Sequence, residues 1–245
     1  MKPTFLLSCL LVFSLCVLAA LAQSDRPVVT TKPGGCDLAQ CGGACNGTST
    51  CPVATIAEGV ALLPSGGGIV SLLAGTYTGE GNADVTLSNG NFLISAQAFG
   101  IVYLDCAGLP GFTVNGGSAD FYGLIITNCR RTDGNGGAFL VRYASVTLSK
   151  MHAESNSAQR GGVLYVESGS ASVSQMSMEK NSAAEGGAGF FAFRAQITTQ
   201  LVAVEDSTAG SDVGCQQGTI DFKGPTTIDT ISCTDCACPA GSTTP

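Results

Sequence analysis

Short runs in which apolar and polar residues alternate dominate the chain. Val146-Thr147-Leu148 and Ala171-Ser172-Val173 are clear examples. Similar runs occupy 68–73, 85–87, 92–95, 101–105, 112–114 and 121–127. Alternation with a period of two is typical of strands with one buried face. The runs are separated by glycine and serine, and no amphipathic helix fits between them, so the pattern predicts an all-β chain.

A repeat with a period of 25 organises the middle of the chain. The glycine pairs Gly136-Gly137, Gly161-Gly162 and Gly186-Gly187 recur at this spacing. Three further columns keep it: Asn156, Asn181 and Asp206; Met151, Met176 and Leu201; Val141, Val166 and Phe191. A fixed period in this range indicates stacked units. Three short strands with tight turns fill one unit, and parallel pairing of successive units predicts a parallel β-helix.

The columns predict where side chains point. Val146 and Leu148 face inward, and the methionine column stacks inside only if the chain bends near Ser149-Lys150. Asn156 and Asn181 form a structural turn ladder whose amides hydrogen-bond along the axis, and Asp206 marks the end of the regular stack. The glycine pairs supply positive φ or a close backbone approach at a corner.

A short helix precedes the first coil. Pro52 suits a first helical turn, and the segment 64–68 ends the helix. One helical face carries the apolar residues Val53, Ile56, Ala57 and Val60. An open coil exposes unpaired backbone and apolar side chains, so we expect this helix to cap it.

Residues 1–22 are typical of a secretory signal peptide. Lys2 precedes an apolar run that ends at Ala20-Leu21-Ala22, a small-x-small cleavage pattern. We therefore expect a secreted, extracellular protein with no membrane span after cleavage. Residues 23–51 then form a flexible, proline-containing lead-in and a cysteine-rich cap, 52–235 form the β-helix, and 236–245 form a cysteine-containing tail.

Ten cysteines remain after cleavage, which predicts a disulfide framework in an oxidising compartment. The candidates are Cys36, Cys41, Cys45, Cys51, Cys106, Cys129, Cys215, Cys233, Cys236 and Cys238. Cys106 and Cys129 are about one coil apart, so we expect them to pair. Zinc binding is the competing interpretation of the clusters, and secretion favours disulfides over it.

The composition limits the partners and the kinds of site that the chain can have. Eleven basic and 18 acidic residues give a net charge of −7, which disfavours nucleic-acid binding. A single histidine cannot supply a histidine-based metal site, and we expect no cofactor. Asn46-Gly47-Thr48 is an N-glycosylation acceptor, which predicts a modified Asn46 at the surface.

The stretch TIAEGVALLPSGGGIVSLLAGTYTGEGN resembles the opening of pectin-lyase-like right-handed β-helix proteins, with Gly75-Thr76-Tyr77 as their G-x-Y motif. The later IVYLDCAGLPGFTVNGGSADFYGLIITNC is also similar to them. NSAQRGGV and NSAAEGGA resemble chlamydial polymorphic outer-membrane protein repeats. The resemblance covers roughly residues 52–235 and implies a right-handed single-stranded parallel β-helix. It implies no one activity, because this fold hosts lyases, hydrolases, esterases, adhesins and stalks.

No catalytic constellation emerges from the sequence. Asp105, Asp120, Asp133 and Asp221 are scattered, Arg130-Arg131 suits a solvated corner, and His152 has no nearby acid at a recurrent spacing. The sequence therefore favours a non-catalytic extracellular role in adhesion, surface structure or glycan binding. The partner would be an extracellular polysaccharide or a cell-surface protein. The alternative is a divergent polysaccharide lyase or hydrolase.

Overall fold

The computed structural model describes residues 26–97, 101–208 and 211–236. In these ranges the chain forms one short helix and 21 strands. The helix is α1 (Ile56–Ala61). The strands are β1 (Val28–Thr31), β2 (Gly67–Leu72), β3 (Gly75–Thr78), β4 (Val85–Ser88), β5 (Asn91–Ala96), β6 (Val102–Asp105), β7 (Phe112–Asn115), β8 (Ser118–Tyr122), β9 (Ile125–Thr127), β10 (Phe139–Arg142), β11 (Ser145–Glu154), β12 (Ser157–Ala158), β13 (Leu164–Glu167), β14 (Ser170–Glu179), β15 (Ser182–Ala183), β16 (Phe190–Phe193), β17 (Gln196–Glu205), β18 (Val213–Gln216), β19 (Thr219–Phe222), β20 (Thr226–Ile228) and β21 (Ile231–Thr234).

Every strand pairing is parallel, and the strands stack into three faces of a solenoid. Face 1 contains β1, β2, β5, β8, the first halves of β11, β14 and β17, and β19. Face 2 contains β3, β6, β9, the second halves of those three long strands, and β20. Face 3 is a seven-stranded sheet, β4-β7-β10-β13-β16-β18-β21. The predicted all-β parallel solenoid is therefore confirmed, while its right-handed winding stays a prediction.

The interior of the solenoid is apolar and continuous from coil to coil. Val146, Leu148, Ala171 and Val173 are all buried, as their alternation predicts. A cluster of three phenylalanines from β7, β8 and β10 packs ring against ring, with centroids 4.7 to 5.7 Å apart: Phe112, Phe121 and Phe139. Because each strand presents one face inward, stacked coils bury one shared core.

The predicted bend between Leu148 and Met151 is present. Lys150 has φ of 52°, and Gln175 and Leu201 take the same left-handed conformation in the next two coils. A left-handed residue turns the chain so that the side chains on both sides of it can point inward. Met151 and Met176 are buried accordingly.

One extra residue after β15, between Glu185 and Gly187, shifts four predicted columns. Gly136 N donates to Arg160 O, 24 residues on, whereas Gly161 N donates to Gly186 O, 25 residues on, as expected at a bulge. Downstream of this bulge, equivalent positions lie one residue further apart along the chain than the predicted period. The expected third members Leu201 and Phe191 are therefore wrong, because Met176 pairs with Val202 and Val166 with Ala192.

The asparagine ladder is buried inside the solenoid. Asn156 and Asn181 are fully buried, and Asn181 Oδ1 accepts from Asn156 N at 2.9 Å and from Asn156 Nδ2 at 3.1 Å. Asn156 Oδ1 accepts in turn from Cys129 N at 2.9 Å. The prediction that Asp206 is the third member of the ladder is wrong, because the extra residue shifts the register here too. Asp206 follows the Glu179–Glu205 pair at an exposed left-handed corner, and Ser207 takes the ladder position.

The first two glycine pairs act as predicted, and the third is shifted by the extra residue. Gly136 and Gly161 have positive φ, and their equivalent in the next coil is Gly187, not the predicted Gly186: at all three a Cβ atom would meet the carbonyl oxygen three residues on. At Gly137 a Cβ atom would collide with the carbonyl oxygen of Gly162, which shows that the backbones of adjacent coils approach too closely for a side chain.

The N-terminal end of the solenoid differs from the sequence expectation in two ways. The helix begins at Ile56, four residues after Pro52, because Thr55 and Glu58 form a capping box there. The lead-in is also ordered in part, since β1 pairs with β2 and extends face 1. Ile56 is fully buried in the main core, so α1 and β1 close the first coil together.

Tyr77, the last residue of the G-x-Y motif, fastens β1 to the coil. Its hydroxyl lies 2.9 Å from Thr31 O and 3.0 Å from Leu73 O, and the side chain is 1% exposed. Burial raises the pKa of this phenol above its ordinary value. The motif is therefore structural in this chain.

Four disulfides join candidate cysteines of the described residues. They are Cys36–Cys45, Cys41–Cys51, Cys106–Cys129 and Cys215–Cys236. The pair at one-coil spacing, Cys106 and Cys129, is bonded inside the core. Cys233 is also disulfide-bonded, and Cys238 lies outside the described residues.

Candidate functional site

The outer side of the face 1–face 2 bend carries a groove of about 640 Å³. We call it the bend groove. Its lining residues on successive coils are Gly123, Leu124, Ile125, Lys150, Met151, His152, Gln175, Met176, Ser177, Leu201, Val202, Ala203, Pro225 and Thr227. The groove is polar around Lys150 and His152 and apolar around Leu201 and Pro225. It follows the solenoid axis because it is built from the same strand position in each coil.

Acids do accompany His152, contrary to the sequence expectation. Its Nε2 lies 3.8 Å from Glu154 Oε2, and its Nδ1 lies 3.9 Å from Glu179 Oε1. Ser177 Oγ donates to the same Glu179 oxygen at 2.9 Å. The neighbours come from the paired position in the next coil and from two positions along the strand. They form a charged cluster in which the serine is bonded to the acid and not to the histidine.

Lys180 completes this cluster on the Glu154 side. Its Nζ donates to Glu154 Oε1 at 2.7 Å, and this bond is the main reason why the pKa of the Glu154 carboxyl lies below its ordinary value. The same bond raises the pKa of Lys180. Both groups are thus held in their charged forms at neutral pH.

Two residues with side chains suited to catalysis are structural instead. Asp105 Oδ1 accepts from Ala107 N and from Asn128 Nδ2 at a turn. Arg131 donates to Gly136 O at 3.2 Å and to Thr113 Oγ1 at 3.1 Å. Partial burial lowers the pKa of this guanidinium. Its polar atoms hold the 130–136 loop on face 3.

A nine-residue polar surface covers the middle of face 1, and we call it the polar array. Seven of its members are serine or threonine and two are glutamine. The nine form three axial columns: Ser145, Ser170 and Gln196; Thr147, Ser172 and Thr198; Ser149, Ser174 and Gln200. None of these side chains is charged, and all nine are exposed or half-buried.

The outer columns of the polar array are internally hydrogen-bonded. Ser145 Oγ and Ser170 Oγ lie 2.9 Å apart, and Ser174 Oγ donates to Ser149 Oγ at 3.1 Å. Among the described residues, the hydroxyls of the middle column have no side-chain hydrogen bond. The array therefore presents fixed edges and an open central row.

Face 3 carries an outer apolar cluster that was not predicted from the sequence. Leu140, Tyr165 and Phe191 point away from the core yet are at most 7% exposed. The rings of Tyr165 and Phe191 stack with centroids 5.8 Å apart, and the Arg160 guanidinium lies 5.3 Å from the Phe191 centroid. Both aromatic residues are visible in the sequence, but Tyr165 and Phe191 are one residue further apart than the predicted period. The period therefore did not predict that they pair.

Asn46 lies at the exposed position that its predicted glycosylation requires. Its Oδ1 accepts from Thr48 Oγ1 at 2.9 Å within the acceptor triplet. The glycan itself stays a prediction. In the part of the chain that the structure describes, no group of three or more His, Cys, Asp and Glu residues is placed to hold a metal ion. No helix in the same part is long and apolar enough to cross a membrane.

Comparison with known proteins gives no match: no family model, no curated protein and no solved structure is detectably similar to the chain. The parallel solenoid agrees with the fold that the pectin-lyase-like resemblance implies. The family itself, and the repeat assignment, stay predictions.

Proposed function

We propose that this chain is a secreted, disulfide-stabilised solenoid that binds extracellular glycan without cleaving it. The four disulfides between described residues fit a protein that works in an oxidising compartment. The observation that carries the proposal is axial continuity. The polar array and the bend groove each repeat one strand position through several coils, so each can follow a linear polymer.

Repetition of weak contacts is what polymer binding needs. A single exposed hydroxyl gives little net free energy, about 1 kcal/mol or less for one hydrogen bond. Several coils that present the same group at the same spacing add these contributions along one chain. The rigid stack also limits the entropy lost when the side chains meet the ligand.

Cleavage of a polysaccharide is the second candidate function, and one observation favours it. His152 lies in the bend groove with Glu154 and Glu179 on either side of it. A histidine and a carboxylate can act as general acid and base. Ser177 is bonded to Glu179, so this cluster offers no serine activated by the histidine.

The two functions separate in one experiment. Purified protein is incubated with neutral and acidic polysaccharides, with and without calcium, and both retained protein and new reducing ends or unsaturated products are measured. We expect retention without products. Turnover that disappears in His152→Ala, but persists in the exposed face 3 control Ser88→Ala, would contradict the proposal and establish the second function.

A further inference from the structure

We infer that the polar array on face 1 is the glycan-binding surface and that its ligand is an uncharged, extended, β-linked polysaccharide. This inference rests on the proposed function and gives it a surface and a ligand class. Three features of the array point to it: the chemistry of the nine side chains, the state of their hydrogen bonds, and the charges near the two ends of the array.

The middle column supplies the open hydrogen-bonding groups. Thr147, Ser172 and Thr198 lie directly above one another in paired strands. Each hydroxyl can both donate and accept, which matches the hydroxyls of a sugar. The outer columns, by contrast, bond partly to themselves and so hold the edges of the surface in place.

The axial repeat sets the form of the ligand. Adjacent parallel strands lie about 4.8 Å apart, so the column offers one hydroxyl per coil at that interval. This interval is close to the length of one hexose in an extended β-linked chain. Such a polymer lying along the axis would place successive sugars over successive coils.

Charge favours a neutral ligand. Asp120 pairs with Thr147 at one end of the middle column, and Asp221 pairs with Thr198 at the other. The whole chain carries a net charge of −7. A carboxylated polymer along this column would meet the Asp120 carboxylate, unpaired within the described ranges, at one end, whereas Asp221 at the other end is paired with Lys223. The repulsion that disfavours its binding therefore comes from Asp120 and from the net negative charge of the chain.

The bend groove is less suited to the same ligand because two of its polar groups, Lys150 and Ser177, already have partners. Lys150 Nζ donates to Tyr122 Oη at 2.7 Å, and Ser177 is bonded to Glu179. A sugar would have to replace these bonds. In the middle column of the array it would add new ones.

Gel retardation and calorimetry test the inference on the whole protein. The probes are hydroxyethylcellulose and cellohexaose as neutral β-linked glucans, and polygalacturonate as the acidic polymer. The array variant is Thr147→Val/Ser172→Ala/Thr198→Val, and the groove control is Gln175→Ala. A second array variant, Ser172→Glu, adds a charge at one exposed position. Thermal unfolding and circular dichroism verify that every variant is folded.

We expect the wild-type protein to be retarded by hydroxyethylcellulose and not by polygalacturonate. Both array variants should weaken cellohexaose binding at least about tenfold, while Gln175→Ala stays within about twofold. Unchanged binding by folded array variants, or a preference for polygalacturonate, would overturn the inference and leave glycan binding in place. A wild-type protein that binds no glycan of either class would overturn both.

Discussion

At the scale of single residues, two hydroxyls within the described ranges are buried without a hydrogen-bond partner. Thr199 is fully buried and its Oγ1 makes no hydrogen bond, and the Oγ of Ser207 likewise has no partner. Thr199 sits in an inward column beside Val173. Its methyl group suits that apolar column, whereas its hydroxyl has lost its hydrogen bonds to water without gaining a partner among the described residues.

Replacing the hydroxyl of Thr199 by a methyl group should therefore stabilise the fold. We expect Thr199→Val to raise the free energy of unfolding by about 1 kcal/mol, measured by chemical denaturation. Thr198→Val is the matched control, because the neighbouring side chain points outward and should change stability by less than about 0.5 kcal/mol. A loss of stability in Thr199→Val would show that the hydroxyl has a partner.

Glu154 gives a pH dependence whose sign is fixed by Lys180. Because the bond lowers the folded-state pKa of the carboxyl, its stabilisation is present above the ordinary pKa and is lost as the pH falls through the lowered value. Lys180→Gln should therefore move the Glu154 titration midpoint upward, measured by NMR. Lys223→Gln removes a lysine that pairs with Asp221 instead, so it should leave that midpoint unchanged. Equal midpoints in wild type and Lys180→Gln would contradict the assignment.

At the scale of elements, close coil contacts depend on glycine. A Cβ atom at Gly162 would lie 2.5 Å from both Ala188 O and Ser182 O, which are backbone atoms. Gly162→Ala should lower the free energy of unfolding by about 2 to 3 kcal/mol, measured by denaturation. At Gly134 the nearest atom is the flexible Arg131 Cδ at 3.1 Å, so Gly134→Ala should have a smaller effect. Similar losses in both variants would refute this account.

Strand positions could be read from the sequence because they depend on local alternation. The expected run 92–95 corresponds to Asn91–Ala96, and 112–114 corresponds to Phe112–Asn115. The bend at Lys150 was also predictable, since Leu148 and Met151 could not otherwise both face inward. These inferences depend only on residues that are close together in the sequence.

Register after the bulge could not be read from the sequence. One extra residue between Glu185 and Gly187 changes which side chains meet across coils, and glycine-rich turns give no hydrophobic signal for the change. The same slip concealed the Tyr165–Phe191 stack. The cluster around His152 was missed for another reason: its members Glu154 and Glu179 meet only when the coils are placed in register.

At the scale of the whole molecule, stability should be distributed along the axis. Each coil packs chiefly against the coils beside it, so the middle coils have two neighbours. The two pairs Cys36–Cys45 and Cys41–Cys51 strengthen the N-terminal end, and Cys215–Cys236 strengthens the C-terminal end. Cys106–Cys129 is buried within the core.

Hydrogen exchange should follow this distribution. Reducing agent should speed exchange in β1 and β21 before it affects β11 and β14, because the terminal bonds lose their constraint first. Mass spectrometry of peptides from each coil measures the order. The matched sample without reductant shows the intrinsic fraying of the ends. Simultaneous acceleration in all coils would mean that the solenoid unfolds as one cooperative unit.

Because β11 and β14 pair with a constant offset, the gene segment that encodes one coil could be duplicated as a unit. Residues 145–169 span one full turn, and residue 170 occupies the position of residue 145 one level along. A duplication of this stretch would add one coil that fits both its neighbours. The central row of Thr147 and Ser172 would then lengthen with the solenoid, so the reach of the surface could evolve without a new fold.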